Sequence, residues 1–100
     1  MTVSTEFVES LAADIGSQIY IDVAKWHLYL NDAKLHFPLA EKLCELLEDD
    51  RLNEANVQAV LKGFVVEMAG GRTKVPLSDL VPLQCQMDLM DLLEEKQQEL

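Results

Sequence analysis

Between Val8 and Ala33 the apolar side chains fall at Val8, Leu11, Ile15, Ile19, Val23, Trp26, Leu30 and Ala33, in steps of three or four, with no proline before Pro38. That spacing lines one side of an α-helix. It predicts one long helix from about Thr5 to Leu35. At about 1.5 Å per residue such a helix is about 45 Å long, more than the width of a domain this size, so a bend or a projecting end is expected. Gly16-Ser17 is the natural place for the bend.

Phe37-Pro38 then interrupts the helix, because proline disfavours helical backbone in the residue before it and suits the first turn after it. A second helix from Pro38 to about Glu48 carries Leu39, Leu43, Leu46 and Leu47. The acidic run from Glu48 to Arg51 reads as a solvated turn. Asn53 is a good N-cap for a third helix, Glu54 to Lys62, closed by Gly63.

Beyond Gly63 the apolar repeat changes to two: Phe64, Val66 and Met68, then Thr73, Val75 and Leu77, with Gly70-Gly71 between the runs. A two-residue turn sets Phe64 opposite Leu77, Val66 opposite Val75 and Met68 opposite Thr73. The other face then pairs Glu67 with Lys74. The last helix, about Val81 to Gln98, has Leu83, Cys85, Met87, Leu89, Met90, Leu92 and Leu93 over more than half its circumference, so it needs two surfaces to bury against. The charged tail after Leu93 is expected to fray.

With 49% apolar and 26% charged residues, the chain of 100 residues is expected to be one globular domain. Eighteen acidic residues against eight basic ones give a net charge of −10, a field that repels phosphate backbones and argues against nucleic-acid binding. No apolar run has the length of a membrane span, and MTVSTEFVESLAADIGSQ does not read as a secretory leader. Cys44 and Cys85 belong to no CxxC pair and read as buried thiols.

Projected as a helix, residues 19 to 36 are apolar on two sides, with Ile19, Val23, Trp26 and Leu30 on one line and Ile21, Leu28 and Leu35 nearly opposite. A helix buried on both faces is either central to its own core or packed on a partner. The polar set Tyr20, His27, Asn31 and Lys34 is strung along one edge over about 20 Å, too far for shared acid-base chemistry. Asp32 and His36 form a two-ligand metal pair without a third ligand. AGGRTK lacks the GxxxxGK[ST] frame of a nucleotide loop and leads into a strand. Lys62, Arg72 and Lys74 gather cationic charge with Glu67 as the only acid among them.

The segments IYIDVAKWHLYLNDAKLHFPLAEKL, GGRTKVPLSDLVP and MDLMDLLEE together resemble a small, uncharacterised cyanobacterial family classed as a domain of unknown function. The resemblance covers most of the chain. It implies a cytoplasmic cyanobacterial protein, with thylakoid association as one expectation, and brings no catalytic residues. Attachment would be peripheral, through a protein partner or the basic hairpin.

The expected fold is mainly α, α+β in the loose sense, with about four helices, the first long, and a two-stranded hairpin near residues 64–77. The expected function is a non-enzymatic interaction or accessory protein, self-associating as a homodimer or bound to a protein partner. No catalytic residue, cofactor or metal is expected. The interaction residues are Ile21, Leu28, Leu35, Leu89, Leu92 and Leu93, with Leu28→Glu expected to weaken association without unfolding the domain. The alternative is a sensor of small anions or phosphometabolites that uses Lys62, Arg72 and Lys74.

Overall fold

The computed structural model describes residues 4–23, 26–68 and 73–99, and within them all side chains except those of Val23, Trp26, His27, Asp32, Ala33 and Met68. The chain runs α1 (Thr5–Gln18), β1 (Tyr20–Val23), β2 (Trp26–Tyr29), α2 (Leu30–Ala33), α3 (His36–Glu48), α4 (Glu54–Gly63), β3 (Val65–Met68), β4 (Thr73–Pro76), α5 (Leu77–Leu80) and α6 (Leu83–Gln98). It is mainly α with two small antiparallel sheets, so the α+β class holds.

The single long helix does not form. Ser4 caps α1 by accepting from the Phe7 N–H at 3.1 Å, and the helix ends at Ile19, whose backbone is extended (φ −104°, ψ 132°). The chain then reverses in a hairpin that pairs Tyr20 with Tyr29, Ile21 with Leu28, Asp22 with His27 and Val23 with Trp26. The Leu30 N–H donates to the Ile19 carbonyl at 3.0 Å and closes its base. Tyr20 and Tyr29 meet edge to face with ring centroids 5.6 Å apart, the geometry that aromatic quadrupoles favour. The reason for the reversal is composition: Ile19, Tyr20, Ile21, Val23, Trp26 and Tyr29 are β-branched or aromatic and suit a pleated, half-buried surface. In this register Ile21 and Leu28 share one face, while Tyr20 and Tyr29 occupy the other. Ile21 and Leu28 of one line of the helical projection thus join Ile19 and Leu30 of the other in a single core.

The second hairpin has the expected register, with Val66 opposite Val75, Glu67 opposite Lys74 and Met68 opposite Thr73. The Leu77 N–H donates to the Phe64 carbonyl at 2.6 Å. Its Gly70-Gly71 turn lies outside the described residues. Asn53 caps α4, accepting from the Asn56 N–H at 2.8 Å.

One core joins the elements: Leu11 and Ile15 of α1, Leu39 and Leu43 of α3, Leu61 of α4, and Leu89 and Leu93 of α6 are all fully buried. The last helix does not fray after Leu93 but continues to Gln98. Lys96 explains this, its Nζ lying 3.1 Å from Asp14 Oδ2 and 3.1 Å from Ser10 Oγ on α1. Burial of Lys96 works to lower its pKa, but the Asp14 carboxylate outweighs it, aided by Glu99, and the net shift is upward.

Cys44 and Cys85 are both buried free thiols. Burial pushes the Cys44 thiol up to about 11, with Glu48 and Glu41 adding to the shift. A folded-state pKa raised above the unfolded value gives stability that is complete below the unfolded pKa and is lost as pH rises through the folded one. The Cys44 and Lys96 shifts carry the same sign: denaturant melts should show stability falling from about pH 9 to 11 as the Cys44 loss develops, with the Lys96 loss beginning only above about pH 10.5. A flat profile from about pH 9 to 11 would contradict the Cys44 assignment.

Candidate functional site

The six expected interaction residues turn inward. Ile21 is 1% exposed, Leu92 6%, and Leu89 and Leu93 are fully buried. Leu28 and Leu35 are half-buried and pack against the same core. Four of the six are covered by their own chain and the other two lean on the core, so a charge at Leu28 should destabilise the fold.

The uncovered surface of α6 lies on its other side. Cys85, Leu89, Leu92 and Leu93 face the core, while Leu83 and Met87 are 73% and 54% exposed, one helical turn apart. The broad apolar arc of this helix is thus divided: one half is buried by the fold and the other half is bare. Among the described residues the other exposed large hydrophobics are Tyr29, Phe37 and Val65, and they sit on separate elements. Isolated exposed apolar residues are ordinary, whereas neighbouring ones beside a hollow form a patch.

Beside Leu83 and Met87 a groove opens between α6 and α4. Its upper part, about 160 Å³, is floored by buried Val57 and half-buried Met90. It shares Glu54, Met87 and Met90 with a second hollow that continues past Leu52 to Asp91 and Glu94. Gln86 ties the start of α6 to α5 and reaches across to α4: its amide nitrogen donates to the Ser78 and Val81 carbonyls at 3.2 and 3.0 Å, and its amide oxygen accepts from Gln58 on α4. The charge of the groove has one sign: Glu54, Asp91 and Glu94 line it, and among the described residues no lysine, arginine or histidine does.

The other sequence candidates do not converge. Tyr20 is on β1, Asn31 on α2, and Lys34 follows α2 in the left-handed conformation (φ 59°); the His27 and Asp32 side chains lie outside the described residues. Tyr20 instead meets Cys85 at the base of α6, and its phenol pKa is raised, first by the charge a Cys85 thiolate would carry. His36 lines a hollow between α1 and α3 with its buried Nδ1 unpartnered, and among the described residues Glu9 is the one other titratable group lining it. Among the described residues no cluster of three His, Cys, Asp or Glu side chains could hold a metal ion. Of the basic set, Lys62 near the end of α4 and Lys74 on β4 are exposed, and Lys74 sits across from Glu67; Arg72 lies outside the described residues.

Fold and groove together define a small mainly helical domain with an acid-rimmed apolar trough. Residues 8–96 match the family described as protein of unknown function (DUF3181), and the chain belongs to that family. A thylakoid-associated protein of Synechocystis sp. is 50% identical over 97 residues, covering 97% of this chain and 96% of that one. No solved structure matches. Among the described residues no helix is long and apolar enough to cross a membrane.

Proposed function

We propose that this chain is a non-enzymatic accessory protein that binds another protein through the exposed face of α6 and so attaches peripherally to the cytoplasmic side of the thylakoid. The observation that carries this reading is the bare Leu83–Met87 step beside the α4–α6 groove. Apolar side chains grouped in this way gain free energy when a partner covers them. The thylakoid association of the Synechocystis relative supports the location. Direct insertion of this face into lipid is disfavoured, because Glu54, Asp91 and Glu94 would be brought against anionic headgroups.

The test is fractionation of cyanobacterial cells that express the Leu83→Ser, Met87→Ser double variant. Surface substitutions of this kind change stability by only about 0.5 kcal/mol each, so the variant should melt close to wild type while moving from the thylakoid fraction to the soluble one. A double variant that stays with the membranes at the wild-type level would sink the proposal.

A further inference from the structure

We infer that the occupant of the α4–α6 groove is a cationic amphipathic helix belonging to the partner protein. The inference rests on the docking role proposed above and adds the chemistry of what docks. Three observations support it. The walls of the groove are helices, whose backbone groups are already paired along α4 and α6. An extended peptide would therefore find no open strand edge to extend, and a helix lying in the groove is the mode that remains. From Leu83 to Glu94 the α6 wall is about 16 Å long at 1.5 Å per residue, enough for three turns of a partner helix with apolar anchors at i, i+3 or i+4 and i+7.

The lining supplies the second observation. Met87 and Met90 are unbranched and polarizable, and adapt to the shape of an inserted side chain. The rim supplies the third. Glu54 on one wall and Asp91 and Glu94 on the other place carboxylates along both sides, with no cation among the described residues that line the trough. Lysines or arginines flanking the apolar stripe of the partner helix would meet these carboxylates. A second copy of this chain, with a net charge of −10, would set rim against rim.

The probe is a synthetic helix of about 18 residues, leucine on one face and lysine on the other, long enough to span the groove. Its counterpart has glutamate in place of lysine. Fluorescence anisotropy should show the lysine helix binding wild-type protein at least about tenfold more tightly than the glutamate helix, as expected for three ion pairs of about 0.5 kcal/mol each. The rim variant Glu54→Gln, Asp91→Asn, Glu94→Gln should lose that factor. A distant variant with the same change of charge, Glu6→Gln, Glu41→Gln, Glu45→Gln, should keep most of it. Equal binding of the two helices, or equal losses from the rim and distant variants, would overturn the inference.

Two further measurements identify a wrong occupant. Binding to phosphatidylglycerol vesicles, or self-association in sedimentation, that the Leu83→Ser, Met87→Ser pair abolishes would assign the groove to lipid or to a second copy. In cells, release of that pair from thylakoids while the rim variant stays bound would leave the docking face standing and remove the cationic helix. Retention of both variants would remove the docking face itself.

Discussion

Leu89→Ala should lower the stability of this domain by about 3 kcal/mol, and Leu83→Ala by no more than about 0.5 kcal/mol, although both truncate leucines on one helix. Leu89 is fully buried and Leu83 is 73% exposed. Removing the first leaves a cavity that its neighbours in the core fill only in part, and that residual void adds to the lost transfer free energy. For a domain of this size the loss corresponds to a fall in Tm of about 12 to 24 °C. Thermal or denaturant melts of the two variants give the comparison directly. Similar losses at the two positions would mean that α6 is rotated relative to its described orientation, and the bare face would no longer exist.

That division of α6 marks the boundary of what the sequence carried. The width of the apolar arc, with Leu83 and Met87 at one end and Leu89, Leu92 and Leu93 at the other, was legible because the helical period is a local property. Which half faces the core depends on where α1 and α3 lie, and no local pattern contains that. The residues expected to dock, Leu89, Leu92 and Leu93, therefore fall on the buried half of this helix.

The two hairpins show the same contrast. At residues 64 to 77 a double glycine and two faces that agree on one register left no competing interpretation. At residues 19 to 30 two periods fit. Ile19, Val23, Trp26 and Leu30 step by three or four, while Ile19 with Ile21 and Leu28 with Leu30 alternate by two. The signal that distinguishes them is the crowding of β-branched and aromatic residues, which disfavours helix through lost χ1 freedom and suits a strand. A second signal was the apolar pattern itself, since two opposed stripes on a helix require two burial surfaces and one hairpin face requires one. The rim of the groove was beyond reach for a different reason. Glu54 and Asp91 are 37 positions apart and become neighbours only when α4 packs beside α6.

The reversal after α1 also depends on Gly16, and Gly16→Val should destabilise the domain by about 3 kcal/mol, the upper end of the range for overpacking. A β-carbon at this buried position would stand 2.9 Å from the Asn31 β-carbon, 3.2 Å from the Asn31 α-carbon and 3.2 Å from the His36 β-carbon. These atoms belong to or adjoin the backbones of α2 and α3, so they cannot swing aside as a side-chain tip would. Within a helix, glycine costs about 1 kcal/mol relative to alanine, so Gly16→Ala recovers propensity while meeting the same atoms, and its net loss should be smaller, about 1 kcal/mol. Valine adds two methyl groups to the collision and recovers less propensity. Because Asn31 is exposed and supplies the closest contact through its β-carbon, Asn31→Gly should remove part of the clash. A double-mutant cycle between Gly16→Ala and Asn31→Gly is then expected to show a favourable coupling of about 1 kcal/mol, as for residues in contact. Additive losses would mean that α1 and α2 do not touch at Gly16. The hairpin that returns the chain from Ile19 to Leu30 would then have to hold its place against α1 without the close approach this glycine allows.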